Sequence, residues 1–163
     1  MLPAAVCAAL AGRAVRVFRV DPLASDTVVF SERYGFGLDD CANTILLRIK
    51  IGGKLQLAAV VGLGSRRLDI NGAVKAVLGA QRLSFAPADD ASSYTQMEFG
   101  GITAFGLPAG CRVLVDSAVL QRPQVVMGAG VRAAKLLLPP AELAALAGVT
   151  VAPLCAAPPL VTG

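Results

Sequence analysis

Residues 43–61 read NTILLRIKI-GG-KLQLAAVV, two aliphatic, strand-like runs joined by a glycine pair. Two glycines between such runs supply the positive φ angles of the tight two-residue turn whose twist matches a β-hairpin. A hairpin this tight forces antiparallel pairing. On its first strand, period-2 geometry separates Asn43, Ile45, Leu47, Ile49 and Ile51 from Thr44, Leu46, Arg48 and Lys50, and the first set is expected to face the core.

Outward from the hairpin, helical and strand signals interleave without the regular strand-helix-strand beat of a doubly wound sheet, so the fold class is α+β. Toward the N-terminus, Ala14–Val20 reads as a strand ended by Pro22. Ser25 or Asp26 can cap a helix to about Tyr34 with Val28, Val29 and Tyr34 as the candidates for its inward face, stopped by Gly35 to Gly37. Toward the C-terminus, Asp69 or Asn71 can cap a helix to Leu78, Arg82–Phe85 reads as a short strand, and Pro87–Tyr94 as a helix opened by proline. Further strands are expected near Arg112–Asp116, Gln124–Met127, Lys135–Leu138 and Val149–Pro153, with a helix from Pro140 to Ala147.

With 163 residues, the chain is expected to form one domain over residues 1–163, burying roughly 70% of the surface its unfolded form exposes. The tail 155–163, with Pro158-Pro159, is expected to be loose. The chain is 55% hydrophobic, but no run reaches the ~18 apolar residues of a membrane span. The apolar run Leu2–Ala11 precedes Arg13, Arg16 and Arg19 rather than following basic residues, the wrong polarity for a signal peptide, so an N-terminal helix and a cytoplasmic location are expected. Cys7, Cys41, Cys111 and Cys155 lie far apart with no histidine to complete a metal set, so free thiols and neither metal nor cofactor are expected. The net charge of +4 permits a polyanionic partner without demanding one, because the basic residues are scattered.

Chemistry is concentrated between Glu98 and Lys135. A loop, Gly100-Gly101-Ile102-Thr103-Ala104-Phe105-Gly106, leads into the strand Val113-Leu114-Val115-Asp116, and a second glycine turn follows at Gly128-Ala129-Gly130. Glycine serves where backbone takes positive φ or lies against a ligand, so the two loops suggest a pocket lined by main chain, although a chain crossing a sheet also needs glycine. With no histidine in the chain, chemistry there rests on backbone dipoles, carboxylates, lysines or the substrate itself. Gly128-Ala129-Gly130-Val131-Arg132-Ala133 matches a dinucleotide fingerprint, but Pro139-Pro140 arrives too soon for the helix that motif must open. Asp116 is either an N-cap for Ser117–Leu120 or a pocket group. Arg132 and Lys135 face either the phosphates and terminal adenosine of a nucleic-acid end or solvent.

The order of these elements, from about Asp21 to Leu154, resembles the YbaK-like aminoacyl-tRNA deacylases, relatives of the editing domain of some prolyl-tRNA synthetases: a G-G-x-x-P-x-G loop, a strand closing on Asp, then a glycine turn before a final strand and helix. The resemblance implies a curved, mixed, barrel-like β-sheet with helices packed around it and a pocket between sheet and glycine loop. It implies a free-standing hydrolase for translation fidelity, cleaving the ester of a mischarged tRNA that carries a small amino acid. The expected partner is the acceptor end of tRNA, with a synthetase nearby.

Three positions depart from the family pattern. Asn43 stands where the family carries a lysine needed for deacylation, Ala104 where its loop has proline, and Gln96 where a glycine follows the equivalent of Thr95. Lys50 lies an odd number of residues from Asn43 and so points to the opposite face. The implied roles are Asn43 orienting the ester or a water, and the amides around Gly100, Gly101 and Gly106 stabilising the carbonyl oxygen. Thr103, Asp116, Gly128, Ala129, Gly130 and Arg132 form the implied substrate-binding set. The alternative is a binding module of the same fold, degenerate in catalysis, that recognises a tRNA end, an aminoacyl nucleotide or a protein partner. Self-association through an apolar surface is a third reading, compatible with the high hydrophobic content.

Overall fold

Gly52 and Gly53 both take positive φ, 57° and 77°, and close the expected hairpin. Its strands, Cys41–Ile51 and Lys54–Leu63, pair antiparallel from Ala42 opposite Leu63 to Ile51 opposite Lys54. The computed structural model describes residues 1–156. With the hairpin strands as β2 and β3, the others in chain order are β1 (Arg16–Arg19), β4 (Arg82–Phe85), β5 (Arg112–Asp116), β6 (Val125–Gly128), β7 (Ala134–Leu138) and β8 (Val149–Ala152). The helices are α1 (Ala4–Leu10), α2 (Thr27–Tyr34), α3 (Lys75–Leu78), α4 (Ala88–Thr95) and α5 (Pro140–Ala144).

The strands form one mixed sheet in the order β1-β7-β6-β2-β3-β5-β8, with β4 also pairing β2. β6 lies parallel to β2, β5 parallel to β3 and β8 parallel to β5, while the remaining pairs are antiparallel. The α+β expectation holds. Among the described residues the two end strands do not pair, so the sheet is open, and "barrel-like" describes it only in the loose sense of a mixed sheet wrapped by helices.

Both faces of the sheet are covered. Ala42 and Leu46 of β2, Ala59 and Val61 of β3, and Val113 and Val115 of β5 pack on one face with Val6 of α1, Ala91 of α4, Leu143 of α5 and Phe105 of the glycine loop. Leu47 and Ile49, Ala58 and Val60, and Leu114 pack on the other with Val74 and Leu78. The single-core-face expectation for β2 is thus corrected: Leu46 is as much core as Leu47, and only Arg48 of its set is exposed. A strand buried on both faces reads as a run of aliphatics rather than an alternation, as ILLRI does.

Asp26 caps α2, accepting from the Val28 amide at 3.1 Å, and Gly35 ends it with φ 76°. The helix is rotated from expectation. Val28 and Val29 face outward, and Phe30 is the buried residue, stacked on Tyr34 and Phe36 and tilted against Phe18. One large aromatic wins over two valines because it buries more apolar area per residue ordered. Asp69, not Asn71, caps the segment leading to α3, through the Gly72 and Ala73 amides.

At the C-terminal end, Leu68 and Cys155 form a bridge and the Ala156 amide donates to the Arg67 carbonyl at 2.8 Å. The first two residues of the tail expected to be loose are therefore tied down; 157–163 lie outside the described residues. Among the described residues no helix is long and apolar enough to cross a membrane, the four cysteines are free, and no His, Cys, Asp and Glu cluster suits a metal ion.

Candidate functional site

β6 and β4 both pair with the same edge of β2, and they do not meet. β6 covers Cys41 and Ala42, β4 covers Leu47 to Lys50, and residues 43–46 between them have no strand partner on that side. The Leu46 and Lys50 carbonyls accept from the Ala86 and Gln81 amides on this edge. Even-numbered residues of β2 therefore direct their backbone groups outward, and the N–H and C=O of Thr44 face the gap. The gap is a slot in the sheet, and it opens into a cavity of about 390 Å³, toward the small end of ligand pockets.

Residues converge on the slot from five elements. Asn43 and Thr44 come from β2, Ser25 and Thr27 from the entry to α2, Gly100 and Ile102 from the glycine loop, and Gly128 and Lys135 from β6 and β7. Ala42 pairs with Met127, so one residue further along each strand Asn43 lies beside Gly128, and Gly128 pairs with Lys135. Asn43 and Lys135 thus project from the same face on one rung. A side chain at Gly128 would strike the Ile102 and Gly101 carbonyls at 2.5 and 2.7 Å, so glycine there is what lets the loop pack onto this rung.

Hydrogen bonds fix the polar groups. The Thr27 hydroxyl donates to Oδ1 of Asn43 at 2.8 Å, leaving the amide NH₂ as the group offered to the slot. The Ser25 hydroxyl donates to the Gly100 carbonyl at 2.7 Å, and the Lys135 ammonium donates to the Ser25 carbonyl at 3.0 Å. Lys135 is only 8% exposed, sits 5.2 Å from the centroid of the Phe30 ring and makes no ion pair among the described residues. Burial, the largest cause, lowers its pKa below the ordinary value; Cys41 opposes the shift, Arg132 adds repulsion that reinforces it, and Asp26 opposes it more weakly. Thr44 Oγ1 is buried with no hydrogen-bond partner among the described residues, an orphan a ligand can satisfy. At the mouth, Phe85 and Phe99 are 62% and 55% exposed, unusual for aromatic side chains.

The sequence profile of the aminoacyl-tRNA editing domain matches residues 21–146. The chain belongs to this family. Among solved structures, the editing domain is similar to a proposed trans-editing enzyme for prolyl tRNA synthetase, with a TM-score of 0.81 at 21% identity over 96% of this chain and 100% of that one. It is similar also to hypothetical protein APE2540, with a TM-score of 0.80 at 24% identity over 93% of this chain and 96% of that one. A scaffold protein used for epitope grafting superposes with a TM-score of 0.80 at 22% identity, covering 94% and 96% of the two chains. At these identities the likeness is one of fold. No curated protein matches the chain in sequence.

Of the residues expected to form its site, this editing domain brings Asn43, Gly100 and Gly128 to the slot. The others do not line it. The Gly101 amide donates to the Glu98 carbonyl at 2.9 Å and so is spent within the loop, a correction to its assignment to the carbonyl oxygen. A Cβ at Gly106 would lie 2.7 Å from the Ala5 and Val6 backbone, which places that residue against α1. Thr103 is fully buried with its amide on the Met97 sulfur at 3.5 Å. Ala129 is core, and Gly130 donates to the Gly101 carbonyl at 2.7 Å.

Asp116 is buried away from the slot. Its carboxylate accepts from the Leu154 amide at 2.8 Å and the Cys155 thiol at 3.0 Å; it stands at the N-cap position of the turn Ser117–Gln121 without making a side-chain capping bond, and it does not line the slot. Arg132 stands beside the mouth, donating to the Phe99 and Pro22 carbonyls at 3.4 and 3.2 Å. The residues that sequence reasoning left out are Ser25, Thr27, Thr44, Phe85 and Phe99. Only the two phenylalanines carried a readable signal, as aromatics beside turn residues at the ends of elements.

Proposed function

We propose that the protein is a deacylase that hydrolyses the ester linking a small amino acid to the 3′ end of tRNA. The observation that carries this is the slot itself: an edge of β2 with Thr44 unpartnered, the Asn43 amide oriented by Thr27, and Lys135 buried beside them. An ester presents a carbonyl oxygen, and hydrolysis builds negative charge on it. Preorganised donors in a water-poor cavity stabilise that charge. Ala42, Ala86 and Ala91 line the cavity with Gly128, which favours a small acyl side chain. The exposed faces of Phe85 and Phe99 at the mouth suit stacking of an unpaired base.

In this reading the Asn43 amide holds the ester carbonyl or the attacking water, Gly100 and Ile102 wall the acyl group, and Arg132 lies where the acceptor-end phosphates pass. Asp26 is committed to capping α2 and Asp116 to the C-terminal segment, which leaves water activation to the substrate or to bulk hydroxide. The protein acts free-standing in the cytoplasm, with a synthetase as the source of mischarged tRNA.

The test is a deacylation assay on tRNAs bearing alanine, serine, cysteine and proline, comparing wild type with Asn43→Ala. Hydrolysis of at least one, reduced tenfold or more in the variant, is the expected result. Charged tRNAs that all survive micromolar protein while still binding it would give first place to the second reading, a binding module of the same fold.

A further inference from the structure

The slot contains one cation, and it comes from β7. Among the residues lining the cavity only Asp26 and Lys135 carry charge, and the Asp26 carboxylate is engaged by the Val28 amide. An ammonium has three N–H donors. Lys135 places one on the Ser25 carbonyl and, among the described residues, has no protein acceptor for the other two. A lysine more than nine-tenths buried that makes no ion pair among the described residues is costly to maintain, and such a group persists where the site uses its charge.

We propose that Lys135 is a catalytic residue of this site: its ammonium donates to the carbonyl oxygen of the ester and stabilises the negative charge that forms there as water adds. The inference rests on the deacylase reading and goes beyond it by naming the residue that bears the charge.

The reaction balances without a further reagent. The oxygen of water bonds to the carbonyl carbon, and the carbonyl π electrons move to the oxygen facing Lys135. Collapse of the tetrahedral adduct breaks the bond to the ribose oxygen, which takes up one proton from water. The amino acid leaves as carboxylate, releasing the other proton to solvent. Lys135 keeps its own proton throughout. The position follows from the rung that carries it: Asn43 and Lys135 flank Gly128, so an amide and an ammonium reach one ligand oxygen from two strands, with no side chain between them.

The test compares wild type, Lys135→Met and Lys135→Arg on whichever aminoacyl-tRNA of the panel wild type hydrolyses fastest. Loss of a preorganised donor to an oxyanion costs about 10²–10³ in kcat. The expected result is a fall of that size in kcat for Lys135→Met with KM changed less than threefold, and partial activity in Lys135→Arg. A pH profile separates chemistry from packing. The charged and titratable groups facing Lys135 are Asp26 at the start of α2, Cys41 on β2 and Arg132 in the turn before β7. After subtraction of the hydroxide background, wild-type kcat should fall on the alkaline side as Lys135 loses its proton, and Lys135→Arg should lack that limb. Thermal melts check that Lys135→Met is folded.

An active wild type with Lys135→Met within threefold of it in kcat overturns this inference and leaves the deacylase reading standing. A wild type inactive on every charged tRNA overturns both.

Discussion

Thr27 Oγ1 donates to Asn43 Oδ1 at 2.8 Å, and this one bond decides which end of the Asn43 amide meets a ligand. Thr27 lies at the first position of α2, just after the Asp26 cap, so the geometry of a helix start controls the orientation of a side chain on a sheet.

Thr27→Val keeps the shape of the side chain and removes the donor. With the amide free to turn its oxygen toward the slot, deacylation is expected to fall by about tenfold, roughly 1.4 kcal/mol in the barrier, while Thr27→Ser retains most of the rate. Single-turnover kinetics on one charged tRNA decide it. Full activity in Thr27→Val would remove the orienting role.

Asp116 acts at a distance from the slot, through the Leu154 amide and the Cys155 thiol. Asp116→Ala strips a buried amide of its acceptor and is expected to cost about 1–3 kcal/mol of stability, read as a lower urea midpoint with an unchanged slope. At permissive temperature the folded variant should deacylate at the wild-type rate. The same contact, with burial the larger cause, raises the Cys155 pKa to about 11, so an alkylating reagent at pH 8 should modify the exposed Cys7 first.

Gln96 is the one non-glycine residue with positive φ among the described residues, at 58°, where it caps the C-terminus of α4. Its side chain compensates in part by donating to the Ser93 carbonyl at 2.7 Å. Gln96→Gly relieves the strain of the left-handed region and is expected to stabilise the fold by about 0.5–1 kcal/mol. A rise in Tm tests it.

The lowered pKa of Lys135 sets a sign for pH dependence. Between its value in the folded state and the ordinary 10.5, the unfolded chain holds the lysine proton and the folded chain has released it. Stability then increases with pH across that window. Below it, the buried charge penalises the fold, so Lys135→Met should be at least as stable as wild type at neutral pH and should lack the alkaline rise. Denaturant titrations at a series of pH values measure both.

The hairpin was legible because Gly52-Gly53 admits few other structures, and the caps at Asp26, Asp69 and Gly35 follow from local chemistry that a sequence displays directly. The facing of α2 was not, because Val28 and Val29 compete with a single phenylalanine and the winner depends on what packs opposite. Glycine spacing pointed to Gly100 and Gly128, and the family resemblance, not strand period, pointed to Asn43; all three line the slot. Thr27 and Ser25 could not, since their roles depend on partners 16 and 75 residues away. Asp116 shows the opposite failure: an acid at the end of a strand looks like chemistry, and its use is to hold the returning chain.

The unpaired stretch of β2 also fixes how this pocket can change. Its two ends are set by where the pairing with β6 stops, at Ala42, and where β4 ends, with Phe85 opposite Leu47, a separation of roughly 17 Å along the strand. Lengthening or shortening either neighbour moves that boundary in steps of about 3.4 Å, and single steps reverse which side chains point inward. Side-chain substitutions adjust the fit within the slot. Coarser shifts in what it admits require an insertion or deletion at the ends of β4 or β6, so the reach of the site is ratcheted by strand register.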